Sequence, residues 1–415
     1  MMTLTRSKKA QGAIKQLPED FVVQEITKEG VVIEASRHYA GNELGMKSEA
    51  GKFAVFVLQK REWNTVQAVR AVAKKFRRGM RSAGFAGTKD RMSVSTQLCS
   101  IYGIDHAGLE SVHIKDLQIN GAWQSSTGIK LGMLSGNRFA VRVRGLDEAG
   151  YGMVSESLAE LNQYGLFPNY FGEQRFGSRD NNFAIGLAML KGDFETAAML
   201  YLTDAGNELS VEAVEARQRL AEERDFKKAL AYFPKYLKYE RLMIEYLSAY
   251  PGNYANALRR LPRTLSLMFI HSVEDAIFNE ELEQRIEAGE IRPSSGDLVC
   301  RPGGVFYDIA STEPFDGTEA KGLLPVANIL GYDSKPNDFE KEALERHGLK
   351  LEDFKLAGMP ELNCKGAYRA LFAPYKGVEA RYEAADNSAV LSFSLPAGSY
   401  ATVFLNELLA QRSAT

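Results

Sequence analysis

The chain carries few of the residues that bring chemistry with them. Its 415 residues include three cysteines, five histidines and two tryptophans. Cys99, Cys300 and Cys364 are odd in number, far apart and form no CxxC pair. That excludes a disulfide framework and a zinc ribbon and favours a reducing compartment. His38, His106, His113, His271 and His347 offer neither HExxH nor another paired ligand spacing, so no metal site is expected. No apolar run approaches the roughly 18 residues of a membrane span. The basic, polar stretch Met1–Gln11 lacks the apolar segment of a secretory signal. There is no GxGxxG after a strand and no GxSxG elbow, and Gly84–Lys89 has the residues of a phosphate loop in the wrong order. Dinucleotide, acyl-transfer and redox chemistry are disfavoured, and a cytoplasmic setting is expected.

What is present is an ordinary globular composition, 45% hydrophobic and 25% charged, which excludes disorder and coiled-coil architecture. The length suits two or three folded units. A net charge of −2 conceals an asymmetry. Between Lys52 and Arg91 eleven Lys/Arg face only Glu62 and Asp90, so the remainder of the chain is acidic. Such a segment suits a polyanion site, and equally the solvated face of a surface helix. Asn64 with Gln67 resembles a capping box, Val66, Val69, Val72, Ala73 and Phe76 recur at helical spacing, and Gly79 is placed to stop the helix. Arg70, Lys74, Lys75, Arg77, Arg78 and Arg81 crowd its outer face and C-terminal end. The helix dipole favours some of these cations, but not six within twelve residues.

Short strands are expected at Phe21–Val23, Val31–Ile33 and Phe53–Leu58, and a further strand within Gly84–Ser100. Phe139–Arg144 alternates with period two, one face apolar and one face presenting arginines. From about Gly177 to Arg285 the character turns helical, with helices expected over Glu212–Arg224 and Ser266–Ile286. Ile291–Val326 reads as β or irregular, Asp338–Leu351 as a charged helix, Val390–Leu395 as a strand and Ala401–Leu409 as a last helix. The pattern is one α/β unit at both ends of the chain, interrupted by a largely helical insertion.

Four stretches mix glycine, an aromatic ring and a side chain able to bond a base or a phosphate. They are Leu17–Val23, Phe85–Arg91, Gly136–Phe139 and Asn169–Gly177. Aromatics stack on unpaired bases, Arg and Lys hold the backbone, and Asn reads a base edge. Together with Phe393–Thr402, and in this order, they resemble the TruD family of pseudouridine synthases. The resemblance runs from about residue 15 to beyond 400, and Tyr254–Arg259 and Phe269–Ser272 resemble its longer archaeal and eukaryotic branch.

The resemblance implies an α+β fold. A pseudouridine-synthase-like catalytic domain with a mainly antiparallel mixed sheet, residues 1–174 and 363–415, would be interrupted by a mostly helical α/β insertion domain, residues 175–362, across a basic cleft. It implies isomerisation of uridine to pseudouridine in tRNA, typically uridine 13 of the D arm, with no cofactor and no obligate protein partner. Asp90 of the Gly87-Thr88-Lys89-Asp90 loop would be the catalytic residue. Phe21, Asn137 and Phe393 would contact the target uridine, and Lys15, Glu19 and Phe139 would share its pocket. Lys89 and Arg91 would join the basic helix in holding RNA phosphates.

The chemistry fits such a set. An ionised carboxylate can attack C1′ or C6, or remove a ribose proton. A cation such as Lys15 would favour its ionised form, and the uridine must leave its stack to reach it. Without the family, Phe21, Phe139 and Phe393 read as core and Asn137 as a turn residue. The same chemistry on another tRNA site or on mRNA-like RNA, or an RNA-binding protein without catalysis, are the neighbouring readings. A glycosidase would need a second acid, for which only Glu19 or Glu173 present themselves.

Overall fold

Alternating apolar residues build the central sheet. In the computed structural model, which describes residues 1–411, its eight strands are β1 (Phe21–Ile26), β2 (Phe53–Arg61), β3 (Ala83–Phe85), β4 (Val94–Tyr102), β5 (Leu117–Ser125), β6 (Gly136–Arg144), β7 (Lys376–Glu383) and β8 (Ser388–Pro396). The order across the sheet is β7-β8-β6-β1-β4-β2-β5, with β3 pairing on β4. Every neighbouring pair is antiparallel except β1 with β4. The sheet is thus mixed and mainly antiparallel, as expected.

Helix α1 (Thr65–Lys75) covers one face, packing Ala68, Val69, Val72 and Ala73 on Ala54, Phe56, Leu58 and Cys99. Asn64 caps it, accepting from the Val66 and Gln67 N–H groups. It ends before Gly79. Arg77 takes the left-handed turn (φ 55°), while Gly79 is extended. Val31–Ile33 is not a strand. Both edges of β1 are largely taken by β6 and β4, so the segment forms one bridge, Val32 to Ile26.

Two of the arginines on one face of β6 are engaged rather than free. Arg142 pairs with Glu383 and Asp386, and Arg144 with Asp20.

Two compact units share the chain. One comprises 3–169, 299–324 and 372–415, and holds the sheet; the other comprises 1–2, 170–298 and 325–371, and is mainly helical. Residues 299–324 thus belong with the sheet although they follow helical sequence. Phe306 there packs against Gly136 of β6, where a Cβ would come within 2.7 Å of its ring. In the helical unit the helices Val211–Glu223, Arg263–Ala288 and Asp338–His347 lie where the periodicity places them. The last is shorter than expected because Gly348, at φ 63°, turns the chain. Arg263–Ala288 is buried along much of its length by Phe269, Ile270, Val273, Ile277, Phe278 and Leu282. Among the described residues no helix is long and apolar enough to cross a membrane.

Candidate active site

The single parallel pair in the sheet decides where the site forms. Val22, Val23 and Gln24 of β1 run alongside Val94, Ser95 and Thr96 of β4. The segments that precede these strands therefore enter at the same end of the sheet. That brings Lys15 to Asp90, 75 positions away: Lys15 Nζ donates to Asp90 Oδ2 at 2.5 Å. The same ammonium lies 4.2 Å from the centre of the Phe21 ring. Lys15 is held at φ 57°, a conformation that costs a side-chain-bearing residue about 1–2 kcal/mol. The Ala13 bridge to Arg144 anchors the segment beside it. The Asp90 side chain is 41% exposed, so a solute can reach its carboxylate.

The main chain around Asp90 is pinned from several directions. Lys60 Nζ and Ser93 Oγ both donate to the Asp90 carbonyl at 2.7 Å. The Lys89 N–H donates to Thr65 Oγ1 at 3.0 Å, and Gln97 Nε2 donates to the Gly87 carbonyl at 3.0 Å. Lys60 itself is wholly buried. Burial, and then the neighbouring Lys89, push its ammonium down to about 8. The loop is preorganised, so little freedom is lost when a substrate meets its carboxylate.

From Phe21 a row of packed aromatic rings runs inward. Phe21 and Phe139 are 5.9 Å apart, Phe139 and Phe393 are stacked at 5.4 Å, and Phe393 lies 4.4 Å from Phe404. Asn137 stands two residues from Phe139 on the same face of β6. Its Oδ1 is buried and accepts no hydrogen bond among the described residues, an omission that costs about 1–3 kcal/mol. An incoming donor would remove that cost.

The structure therefore brings Asp90, Lys15 and Phe21 into contact, with Phe139 beside Phe21 and Asn137 farther along β6 opposite Glu25, and it sets three other expected members apart. Lys89 is not a phosphate ligand: it is buried and bonds Glu25 Oε2 at 2.7 Å, the two side chains 3% and 0% exposed. It lies in the loop between β3 and β4, which turns its side chain to the interior. Glu19 is exposed and holds Arg61 at 2.6 Å instead of lining the pocket. Phe393 is fully buried and backs Phe139 rather than presenting a face. Arg70, Lys74, Lys75, Arg77, Arg78, Arg81 and Arg91 are all exposed, though Arg78 also donates to the Gly103 carbonyl.

Sequence reasoning missed the buried polar partners. Lys60 falls in phase with Ala54, Phe56 and Leu58, and Glu25 with Phe21 and Val23. Polar residues at core-facing positions of apolar strands were the available signal. Glu25 accepts from the Leu98 N–H as well as from Lys89, so both its oxygens are used. Asp20 is buried and takes a two-pronged bond from Arg144 Nε and Nη2, together with the Leu17 N–H. Burial works to raise its carboxyl, but these donors prevail and hold it below the ordinary carboxylate value. Of the two candidate second acids, Glu19 is held by Arg61 and Glu173 belongs to the other compact unit, while Glu25 is occupied by Lys89.

A single charge-compensated carboxylate, an aromatic floor and an unpaired amide oxygen suit covalent or proton-transfer chemistry on a planar polar base. Comparison with known proteins gives the family. The family model described as tRNA pseudouridine synthase D (TruD) matches residues 1–408. Probable tRNA pseudouridine synthases D from Methanosarcina mazei and Methanopyrus kandleri are 32% and 36% identical to the chain. The alignments cover 96% of this chain and 93% of the first relative, and 86% of this chain and 86% of the second. A crystal structure of TruD from Methanosarcina mazei superposes with a TM-score of 0.76 at 32% identity, covering 99% of this chain and 96% of that one. The chain belongs to the TruD family, the tRNA pseudouridine synthases D, and is an isomerase.

Proposed function

We propose that the chain converts uridine 13 in the D arm of tRNA to pseudouridine, with Asp90 as the catalytic carboxylate. The observation that carries this reading is the Lys15–Asp90 contact at the open end of the parallel strand pair. It leaves one reachable carboxylate on a loop whose backbone is fixed. The sheet-bearing unit is the catalytic domain and the helical unit its insertion.

The isomerisation breaks N1–C1′ and joins C5 to C1′; C5 loses a proton and N1 gains one. Atoms and charge balance without an oxidant or a group donor. Attack at C1′, attack at C6 and abstraction of a ribose proton all call for an anionic carboxylate in reach of the sugar and base. Lys15, whose ammonium lies over the Phe21 ring, compensates that charge and orients the carboxylate. The target uridine leaves its stack. Asn137 Oδ1 accepts the uracil N3–H, and Phe21 and Phe139, backed by Phe393, form the apolar floor. The exposed cations of α1, with Arg81 and Arg91, supply phosphate contacts that do not depend on sequence.

The test is pseudouridine mapping of tRNA incubated with the wild-type protein and with Asp90→Asn. One new pseudouridine at position 13, absent with the variant, is the expected result. Equal product from both would remove Asp90 from the mechanism. A product at another uridine would keep the chemistry and change the target.

A further inference from the structure

Away from the site just described, the helical unit gathers three side chains of metal-ligating type. His271 and Glu274 lie one turn apart on the helix Arg263–Ala288, and Cys364 follows the short turn Pro360–Leu362. One ligand atom from each lies within 4.8 Å of the others. A tetrahedral ion with bonds of about 2.0–2.3 Å would hold such atoms roughly 3.3–3.8 Å apart, so small side-chain movements suffice.

A hydrogen-bonded triad accounts for only part of this arrangement. Glu274 is 2% exposed, and its Oε2 meets His271 Nδ1 at 2.7 Å. Its second oxygen, Oε1, is buried and has no partner of regular hydrogen-bond geometry among the described residues: the Cys364 thiol lies within reach but is directed at the Leu362 carbonyl, 3.5 Å away. An unpartnered carboxylate oxygen in the interior is costly, and a bound cation is the partner that the neighbouring thiol and imidazole would select. Cys364 is buried, while the His271 side chain is 38% exposed and gives a way in from solvent.

We propose that His271, Glu274 and Cys364 form a binding site for one divalent transition metal of the zinc class. A thiolate with an imidazole excludes magnesium and calcium, and a thiolate–imidazole–carboxylate set is ordinary for zinc and cobalt. The thiol proton leaves for solvent as the metal binds. Three protein ligands leave the fourth position to water on the exposed side of His271. The metal would tie the long helix to the segment ending at Cys364, a structural role within the helical unit.

The experiment uses the full-length chain freed of metal by chelator and titrated anaerobically with Co²⁺. A cobalt–thiolate charge-transfer band with tetrahedral d–d absorption, saturating at one equivalent and displaced by Zn²⁺, is expected. Cys364→Ser should lose the charge-transfer band, whereas a Cys99→Ala/Cys300→Ala variant should keep it. Because Cys364→Ser can perturb packing, His271→Ala serves as the second variant, its side chain being partly in solvent. It should fold normally and bind Zn²⁺ at least about tenfold more weakly. Absence of the band in the wild-type protein overturns the proposal, as does a band that survives both the Cys364 and His271 substitutions.

Discussion

Replacing Lys60 by methionine removes a buried charge with little change in the volume of the side chain. Lys60 is wholly buried under α1, and its ammonium is lowered from the ordinary 10.5 to about 8. Between those values the unfolded chain holds a proton that the native chain has released. Native stability therefore climbs with pH over that window, while below about 8 the cost of burying the charge is fully present. The full swing corresponds to about 3 kcal/mol, of which about 2.5 accumulates between pH 7 and 10. Lys60→Met has no such group. The stability of the wild type minus that of the variant should therefore rise by about 2.5 kcal/mol from pH 7 to pH 10, other titrations cancelling in the difference. The assay is urea unfolding followed by tryptophan fluorescence. Trp63 and Trp123 are the only tryptophans, and both belong to the sheet-bearing unit. A difference that stays flat across this range would refute the reasoning, since Lys60 would then titrate as it does in the unfolded chain. The variant also loses the bond to the Asp90 carbonyl, leaving Ser93 alone to hold it. A carboxylate displaced by about 1 Å loses on the order of 100-fold in rate, so kcat should fall with little change in KM.

Asn137→Ala should leave the free protein as stable as before or up to about 1 kcal/mol more so, because it deletes an unpaired buried acceptor. Its KM for tRNA should rise at least about tenfold; a destabilised variant with unchanged KM would assign Asn137 to the scaffold. Asp20→Asn should destabilise the protein near neutral pH by weakening the two-pronged bond from Arg144. Since the native Asp20 carboxyl is depressed, that deficit should shrink as pH falls through its native value, as urea titrations in acid would show. Phe393→Ala should cost about 3–5 kcal/mol by opening a cavity behind Phe139, and Phe393→Leu much less; similar losses, read from thermal melts, would contradict the packed stack. Removing Arg70, Lys74 and Lys75 together as glutamines should lower the slope of log affinity for tRNA against log salt by about 2–3. An unchanged slope would place the RNA elsewhere.

Periodicity located most of the scaffold because the elements are amphipathic in the ordinary way. β6 and β8 alternate, α1 carries one apolar stripe, and the long helix Arg263–Ala288 buries Phe269, Ile270, Val273, Ile277, Phe278 and Leu282 at helical spacing. Segment ends were less legible because they depend on backbone turns, such as Arg77 ending α1 ahead of Gly79. Asp90 and Asn137 could be nominated only through the motifs that surround them. What periodicity could not supply was pairing between distant strands. Whether Lys89 meets RNA or Glu25 depends on β1 lying beside β4, and no local pattern encodes that neighbour. Phe393 shows the same limit: its strand was evident, but only the register with Phe139 reveals that its ring is enclosed.

The order of the strands also dictates an order of manufacture. A ribosome that has reached Leu371 has synthesised every segment of the helical unit, yet it has made neither β7 nor β8. Until those residues follow, β6 is an open edge and the Phe139 ring lacks the cover of Phe393. Nascent chains stalled in this interval present an unpaired, aromatic strand to one another. Synthesis of the residues that follow Leu371, rather than of the loop that carries Asp90, is the interval in which the open β6 edge favours aggregation.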